Sequence, residues 1–270
     1  MPIKEATIRF YEELNDFLPE DKKKKDLMLQ FYNAPSVKDA IESFGIPHTE
    51  VDLILINGEP VRFDNRLKAN DRVSVYPKFE SFDITKISKL KGRPLRTIQF
   101  ILDVHLGKLA RYLRLCGFDT LYDNHYEDHT IVRISSEENR IILTRDIGIL
   151  KYAEVRHGYW LRSDQPQQQL KEVIKRFDLK NQVRLFTRCM ECNGTIGKID
   201  KNKIRHQLLS GTQKYYQEFF RCTHCGKIYW KGSHYQNMME FIQKILPLLF
   251  FKVFIIEFLL MHDILEGFSL

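Results

Sequence analysis

Four of the five cysteines fall in two tight pairs, Cys189-x-x-Cys192 and Cys222-x-x-Cys225, with 29 residues between them. Each pair is short enough to form a knuckle in which both thiolates face one ion. Gly194 and Gly226 follow the knuckles, where tight turns aim backbone N–H groups at the sulfurs. Four thiolates favour a tetrahedral Zn²⁺ in a closed structural site, with redox dithiols or an iron–sulfur cluster as the alternatives. The gap between the pairs exceeds the common ~15–20 residues, which predicts a hairpin or loop between them. Five cysteines in 270 residues are too sparse for a disulfide scaffold, so a reducing, cytoplasmic setting is expected. Met1 to Phe10 reads as a strand and not as a basic and apolar leader, so no secretory signal is expected.

Charge divides the chain. Lys and Arg number 42 against 35 Asp and Glu overall, a net charge of +7. Residues 1–83 are mildly acidic, with 12 basic against 16 acidic residues, and the remainder is strongly basic. Residues 184–234 carry 10 basic and 3 acidic residues, interleaved with Tyr215, Tyr216, Phe219, Phe220, Tyr229 and Trp230. Basic side chains attract phosphates, and exposed aromatics stack on unpaired bases. The same aromatics could instead form the small core of the cysteine-bearing module.

Hydrophobic periodicity predicts several parts. Residues 4–10 and 26–31 read as strands, with the acidic stretch and Lys22–Lys25 between them as a solvated hairpin loop. Ser36 is an N-cap for a helix closed by Gly45, and strands follow at 52–56 and 72–76, with the tight-turn pair Asn57-Gly58 between them. Strand, strand, helix, strand, strand over residues 1–80 resembles a β-grasp (ubiquitin-like) domain, and the NGEPV turn resembles its sulfur-carrier branch. A carrier needs a free terminal Gly-Gly. Here Tyr76-Pro77-Lys78-Phe79 stands at that position and the chain runs on, so binding of a protein partner fits this part better.

A polar linker over 81–96 leads to alternating strands and helices over 97–182, an α/β pattern with a parallel sheet covered on both faces. The helix after the first of these strands carries Leu106, Leu109, Ala110 and Leu113 on one face. The cysteine module occupies 183–234, and a helix and apolar tail occupy 235–270. The apolar stretch Ile245–Met261 is 17 residues long and contains Pro247, Lys252 and Glu257. At ~1.5 Å per residue it reaches about 25 Å, short of a ~30 Å hydrocarbon core, so no transmembrane span is expected. Packing on the body or on a partner, or an interfacial anchor, are the readings left.

In an open α/β sheet, ligands bind beyond the carboxyl ends of the strands. Asp103, Asp123, Asp146 and Asp164 each follow a predicted strand, and Asp128 opens a helix. Carboxylates gathered on one rim repel each other and suit hard cations such as Mg²⁺ or Mn²⁺. Each Asp alone also serves as an ordinary strand-end or helix cap. Lys108 and Arg111, on the helix after Asp103, and Arg145, beside Asp146, are placed to meet a phosphate, although solvated helix faces carry such residues too. His105 could order water or make a structural hydrogen bond, and Cys116 reads as a small buried hydrophobe.

The string Asp103-Val104-His105-Leu106-Gly107-Lys108-Leu109-Ala110-Arg111, with Gly117-Phe118-Asp119-Thr120 and Leu143-Thr144-Arg145-Asp146, resembles the Mut-seven C-terminal RNase family, a branch of the PIN-fold nucleases ending in a zinc ribbon. Members preceded by a ubiquitin-like domain are a known arrangement. The resemblance covers roughly residues 3–240. It implies a PIN-like Rossmannoid fold and metal-dependent hydrolysis of RNA, leaving a 5′-phosphate. It also implies Asp103 and Asp146 as the firmest Mg²⁺/Mn²⁺ ligands, then Asp128, then Asp164. A non-catalytic RNA-binding or adaptor protein with a degenerate acidic rim is the alternative.

Overall fold

The computed structural model describes residues 2–77, 88–90 and 97–247. The chain forms two compact units. The first holds the residues up to Gly107 together with Leu121–Arg162, and the second holds Lys108–Thr120 and the residues from Ser163 onward. Most of the linker expected over 81–96, and the tail beyond 247, lie outside the described residues.

The first unit begins with strands β1 (Lys4–Phe10) and β2 (Asp26–Phe31), helix α1 (Val37–Ser43), then β3 (Val51–Ile56), β4 (Glu59–Pro60) and β5 (Arg72–Pro77). Their order in the sheet is β2-β1-β5-β3-β4, with β1 and β5 parallel and the other pairs antiparallel. This mixed sheet is consistent with the ubiquitin-like reading. Helix α1 starts where predicted because Ser36 and Asp39 form a reciprocal capping box. Asn57 and Gly58 both take positive φ, 52° and 89°, as a two-residue hairpin turn requires. Alternate residues of β1 and β5 (Ala6, Ile8, Phe10, Val73, Val75) enter the core under α1. The loop expected after β1 is a correction: residues 12–17 and 20–22 form 3₁₀ turns. Leu14 and Leu18, set among acidic residues, bury themselves in that core, which a merely solvated loop would not allow.

The same unit continues with β6 (Gln99–Leu102). Helix α2 (Gly107–Leu115) and strand β7 (Asp119–Leu121) span the division between the units, and helix α3 (Asp128–Glu138), β8 (Ile141–Thr144) and β9 (Gly158–Trp160) belong to the first. The sheet order is β7-β6-β8-β9, with β6, β8 and β9 parallel. Phe100–Leu102 and all four residues of β8 are buried. That is the near-continuous apolar run of a strand covered on both faces. Asn139 closes α3 in the left-handed conformation, and its N–H bonds to Ser135 O.

The second unit contains helix α4 (Pro166–Arg176), strand β10 (Ile196–Ile199), the short helices α5 (Lys201–Ile204) and α6 (Ser210–Tyr215), strands β11 (Phe219–Cys222) and β12 (Ile228–Trp230), and helix α7 (Ser233–Ile245). Strands β10, β11 and β12 form an antiparallel sheet in that order. The segment between the cysteine pairs therefore holds β10 and most of β11, paired antiparallel, with two short helices between them and Ile204, Leu208 and Phe219 as a small core. Among the described residues no helix is long and apolar enough to cross a membrane.

Candidate functional site

Because β6 and β8 run parallel, the residues after them emerge at the same end of the sheet. Asp103 follows β6 and Asp146 lies just beyond β8, and one side chain joins them. The fully buried Thr144 hydroxyl donates to Asp103 Oδ2 at 2.8 Å and accepts from the Asp146 N–H at 2.8 Å. Asp146 Oδ1 in turn accepts from the Gly148 N–H at 2.7 Å, which fixes its carboxylate. Asp103 is buried, its N–H bonded to Leu143 O, while Asp146 is exposed.

Asp128, exposed at the start of α3, completes the group. Partial burial pushes its carboxyl above the usual range, and the charges of Asp146 and then Asp103 add to the rise, against a smaller lowering by His129. Asp128 thus feels both of the other carboxylates, and among the described residues no arginine or lysine pairs with any of the three. The trio is open: among the described residues, only the four thiols bring three or more metal-ligating atoms within 4.8 Å of one another.

Asp164 is exposed in the bend before α4, in the second unit, and is not among the groups that Asp128 feels. Asp123 accepts from the His125 N–H at 2.9 Å, an ordinary turn cap. Arg145 is exposed, and its carbonyl accepts from the Trp160 indole at 3.2 Å. His105 is exposed, and Cys116 is buried, with its thiol pushed up to about 12 by burial.

In the second unit the four thiols converge. Cys189 Sγ lies 3.6 Å from Cys225 Sγ, and Cys192 Sγ lies 3.4 Å from Cys222 Sγ. The knuckles close through Asn193 N–H to Cys189 O and Gly226 N–H to Cys222 O, with Asn193 and Gly226 at φ 66° and 74°. A Cβ on Gly194 would come 2.8 Å from Cys222 Sγ, so only glycine leaves room there. Burial raises the Cys189 thiol, but hydrogen bonds from Tyr229 and from the backbone at Cys192 and Glu191 outweigh it and bring the group down to about 7. Burial pushes Cys192 up to about 12. Convergence of four sulfurs within 4.8 Å is what a shared cation needs. These residues can hold a metal such as zinc.

Arg114 ties this module to α2. Its buried guanidinium donates to Thr120 O at 2.9 Å, Met190 O at 3.1 Å and Glu191 O at 2.8 Å. Asn193 adds a bond to the Thr120 N–H at 3.0 Å and one to Asp119 at 2.8 Å. Sequence reading gave neither residue a role, nor Thr144, and it placed Tyr229 among the aromatics and not against Cys189. For Arg114 the signal was there: it falls four residues after Ala110, on the apolar face of the helix.

Lys108 and Arg111 line a cavity of about 880 Å³ within the second unit, together with Tyr216, Lys227, Trp230 and Phe241. Arg111 and Lys227 both reach Glu191 Oε1, at 3.2 and 2.8 Å. The hydrogen bond from Lys227, helped by Arg111 and Arg114, holds the Glu191 carboxyl below the usual range despite some burial.

Residues 98–242 match the Mut7-C RNAse domain, and residues 3–83 match the Mut7-C ubiquitin domain. The human exonuclease mut-7 homolog is 36% identical over 106 residues, which make up 37% of this chain and 12% of the human protein. The chain therefore spans a small part of that relative's length. With more than half of its residues matched by the RNase domain, the chain belongs to the Mut7-C RNase family.

Proposed function

We propose that this protein is a metal-dependent ribonuclease in which Asp103, Asp128 and Asp146 bind Mg²⁺ or Mn²⁺ at the carboxyl end of a PIN-like sheet. The observation that carries the reading is the Thr144 hydroxyl joining the buried Asp103 to the exposed Asp146, beside an Asp128 whose carboxyl their charges push up. Carboxylates gathered with no arginine or lysine pairing them, among the described residues, are a donor set that fits a hard divalent ion. Such an ion supplies Lewis acidity, which activates water and neutralises charge on a phosphodiester. The chain's own part is positional. Thr144 holds Asp103 in one orientation, the Gly148 N–H holds Asp146, and exposed Arg145 is available to a substrate phosphate. Asp164 is the weakest member of the set, since it is not among the groups that raise Asp128.

RNA is the substrate class that an RNase domain implies, and the human relative carries the name of an exonuclease. The thiol module reads as a zinc ribbon that helps to hold the strand. Lys108, Arg111 and Lys227 surround a cavity whose walls include Trp230 and Tyr216, a combination suited to phosphates and to stacked, unpaired bases. The domain boundaries proposed are 1–80, 97–182 and 183–234, in a cytoplasmic protein. The test is incubation of end-labelled single-stranded RNA with purified protein in Mn²⁺, Mg²⁺ or chelator. Cleavage that needs the divalent ion, and is absent from Asp103→Asn protein that retains its zinc, is the expected result. RNA left intact by the wild type in both ions, yet bound by it, overturns the nuclease in favour of an RNA-binding protein.

A further inference from the structure

Among the described residues, strand β9 is the edge of its sheet, and an edge strand turns backbone groups outward. The Leu161 N–H points inward to Thr144 O at 2.8 Å, so by alternation the Trp160 N–H points outward. A carboxylate from the ubiquitin-like part meets that outward N–H. Glu50 is fully buried, and its Oε1 accepts the Trp160 N–H at 2.7 Å. Its other oxygen lies 3.4 Å from Arg162 Nη2, and Arg162 Nη1 donates to Trp160 O at 2.6 Å. The Trp160 backbone is thus gripped at both its N–H and its carbonyl, by two side chains that pair with each other.

The grip extends on both sides. The Arg162 guanidinium lies 5.4 Å from the Phe17 ring centroid and 3.6 Å from Asp16, and Phe17 packs on the Trp160 ring at 4.8 Å. Just before β9, His48 bonds Glu42 Oε1 at 2.7 Å through one ring nitrogen and Val155 O at 2.9 Å through the other. Asp16, Phe17, Glu42, His48 and Glu50 lie within residues 3–83, and Val155, Trp160 and Arg162 lie within 98–242. All of them belong to the first compact unit.

We propose that the ubiquitin-like part is a built-in brace for the carboxylate site, with Glu50 as the positioning residue. Trp160 pairs in register with Thr144, the residue whose hydroxyl joins Asp103 to Asp146. Glu50 fixes β9, β9 fixes the Thr144 backbone through Leu161, and Thr144 fixes the two carboxylates. A buried carboxylate is expensive to hold unless charges and hydrogen bonds compensate it, and here they converge on one peptide of one strand. The inference for catalysis rests on the nuclease reading, whereas the mechanical coupling does not.

The test compares wild type, Glu50→Ala, Glu50→Gln and His48→Ala in the full chain, by amide hydrogen exchange and by Mn²⁺ titration. Glu50→Ala is expected to speed exchange in peptides covering 141–146 and 158–162 by about tenfold, and to leave 219–222 unchanged. Mn²⁺ affinity should fall by about tenfold, in the range found for residues that orient metal ligands. Glu50→Gln keeps an acceptor for the Trp160 N–H and should recover most of both losses. Unchanged exchange at 141–146 in folded Glu50→Ala overturns the brace. Should that variant not fold, His48→Ala decides by the same exchange readout, faster exchange there supporting the brace and unchanged exchange overturning it. A wild type that binds no Mn²⁺ overturns the metal reading of the carboxylates, while the exchange result still judges the brace.

Discussion

The four thiols and the three carboxylates are both groups of potential metal ligands, and the chain builds them in opposite ways. The thiols are assembled by local turns, two per knuckle, and all four sulfurs lie within 4.8 Å of one another. Glycine is needed at 194 because there is no space left around them. The carboxylates come from two strand ends and a helix start, two of the three are exposed, and a single hydroxyl links the pair across the strands. A closed cluster can hold an ion and hand nothing to a substrate. An open one holds its ion less completely and leaves room for a ligand to approach. On the proposed reading, tight packing marks the structural site and incompleteness marks the one suited to chemistry.

If that contrast holds, losing a ligand from each cluster has different consequences. Cys222→Ser should show the largest effect: zinc falls from one per chain towards none by elemental analysis, and the β10–β12 sheet loses its cooperative melting. Structural zinc sites in small modules bind with on the order of 10 kcal/mol or more, so little else in so small a core can compensate. Asp146→Asn should instead keep its zinc and melt near the wild-type temperature, while RNA cleavage drops by at least about 100-fold, since it removes a ligand and not merely a residue that orients one. Loss of zinc from Asp146→Asn would mean that the two clusters are not independent.

Thr144 sharpens the point at the next level. Thr144→Val keeps the shape and removes the hydroxyl that joins Asp103 to Asp146. A cost of about 10–100-fold in activity or Mn²⁺ affinity is expected, and Thr144→Ser should restore much of it. In the thiol module the matching question concerns the cavity and not the metal. Trp230→Ala removes an aromatic wall beside Lys227 and should weaken binding of single-stranded RNA by about tenfold without loss of zinc, measured by anisotropy in chelator too weak to strip thiolates. Unaltered affinity would leave the aromatics as core only.

The same contrast explains what could be read from the sequence. The thiol cluster was legible because its geometry is local: two C-x-x-C spacings nearly determine two knuckles. The elements were legible for the same reason, since α3 (Asp128–Glu138) and β8 (Ile141–Thr144) fall where periodicity puts them. The 3₁₀ turns over 12–22 were not, because acidic residues masked the single buried leucines, Leu14 and Leu18. Thr144, Glu50 and His48 each reach a partner 41 to 112 residues away, and no local spacing reports such a pairing. Position at a strand end put Asp123 beside Asp103 and Asp146, and only the family resemblance set the latter two first; the fold separates Asp123, a turn cap, from both.

The smallest effect concerns Asp128, and its sign is the informative part. Burial, then Asp146, then Asp103 raise its carboxyl above the usual carboxylate range, so the folded protein holds that proton more firmly than the unfolded chain does. The associated stability is fully present below about pH 4 and is lost as pH rises through the raised value. At neutral pH without divalent ions, the ionised Asp128 therefore opposes folding. Asp128→Asn should raise the metal-free Tm by no more than about 1 °C, since the group is largely solvated, and the gain should vanish on acidification. Adding Mn²⁺ should reverse the order, because the wild-type carboxylate then gains the cation that its neighbours had left it without. A thiol ligand has no such inversion available: its cluster is too tightly closed to exist comfortably in two states, and an acidic rim that stabilises the protein only when a cation arrives is what an exchangeable site requires.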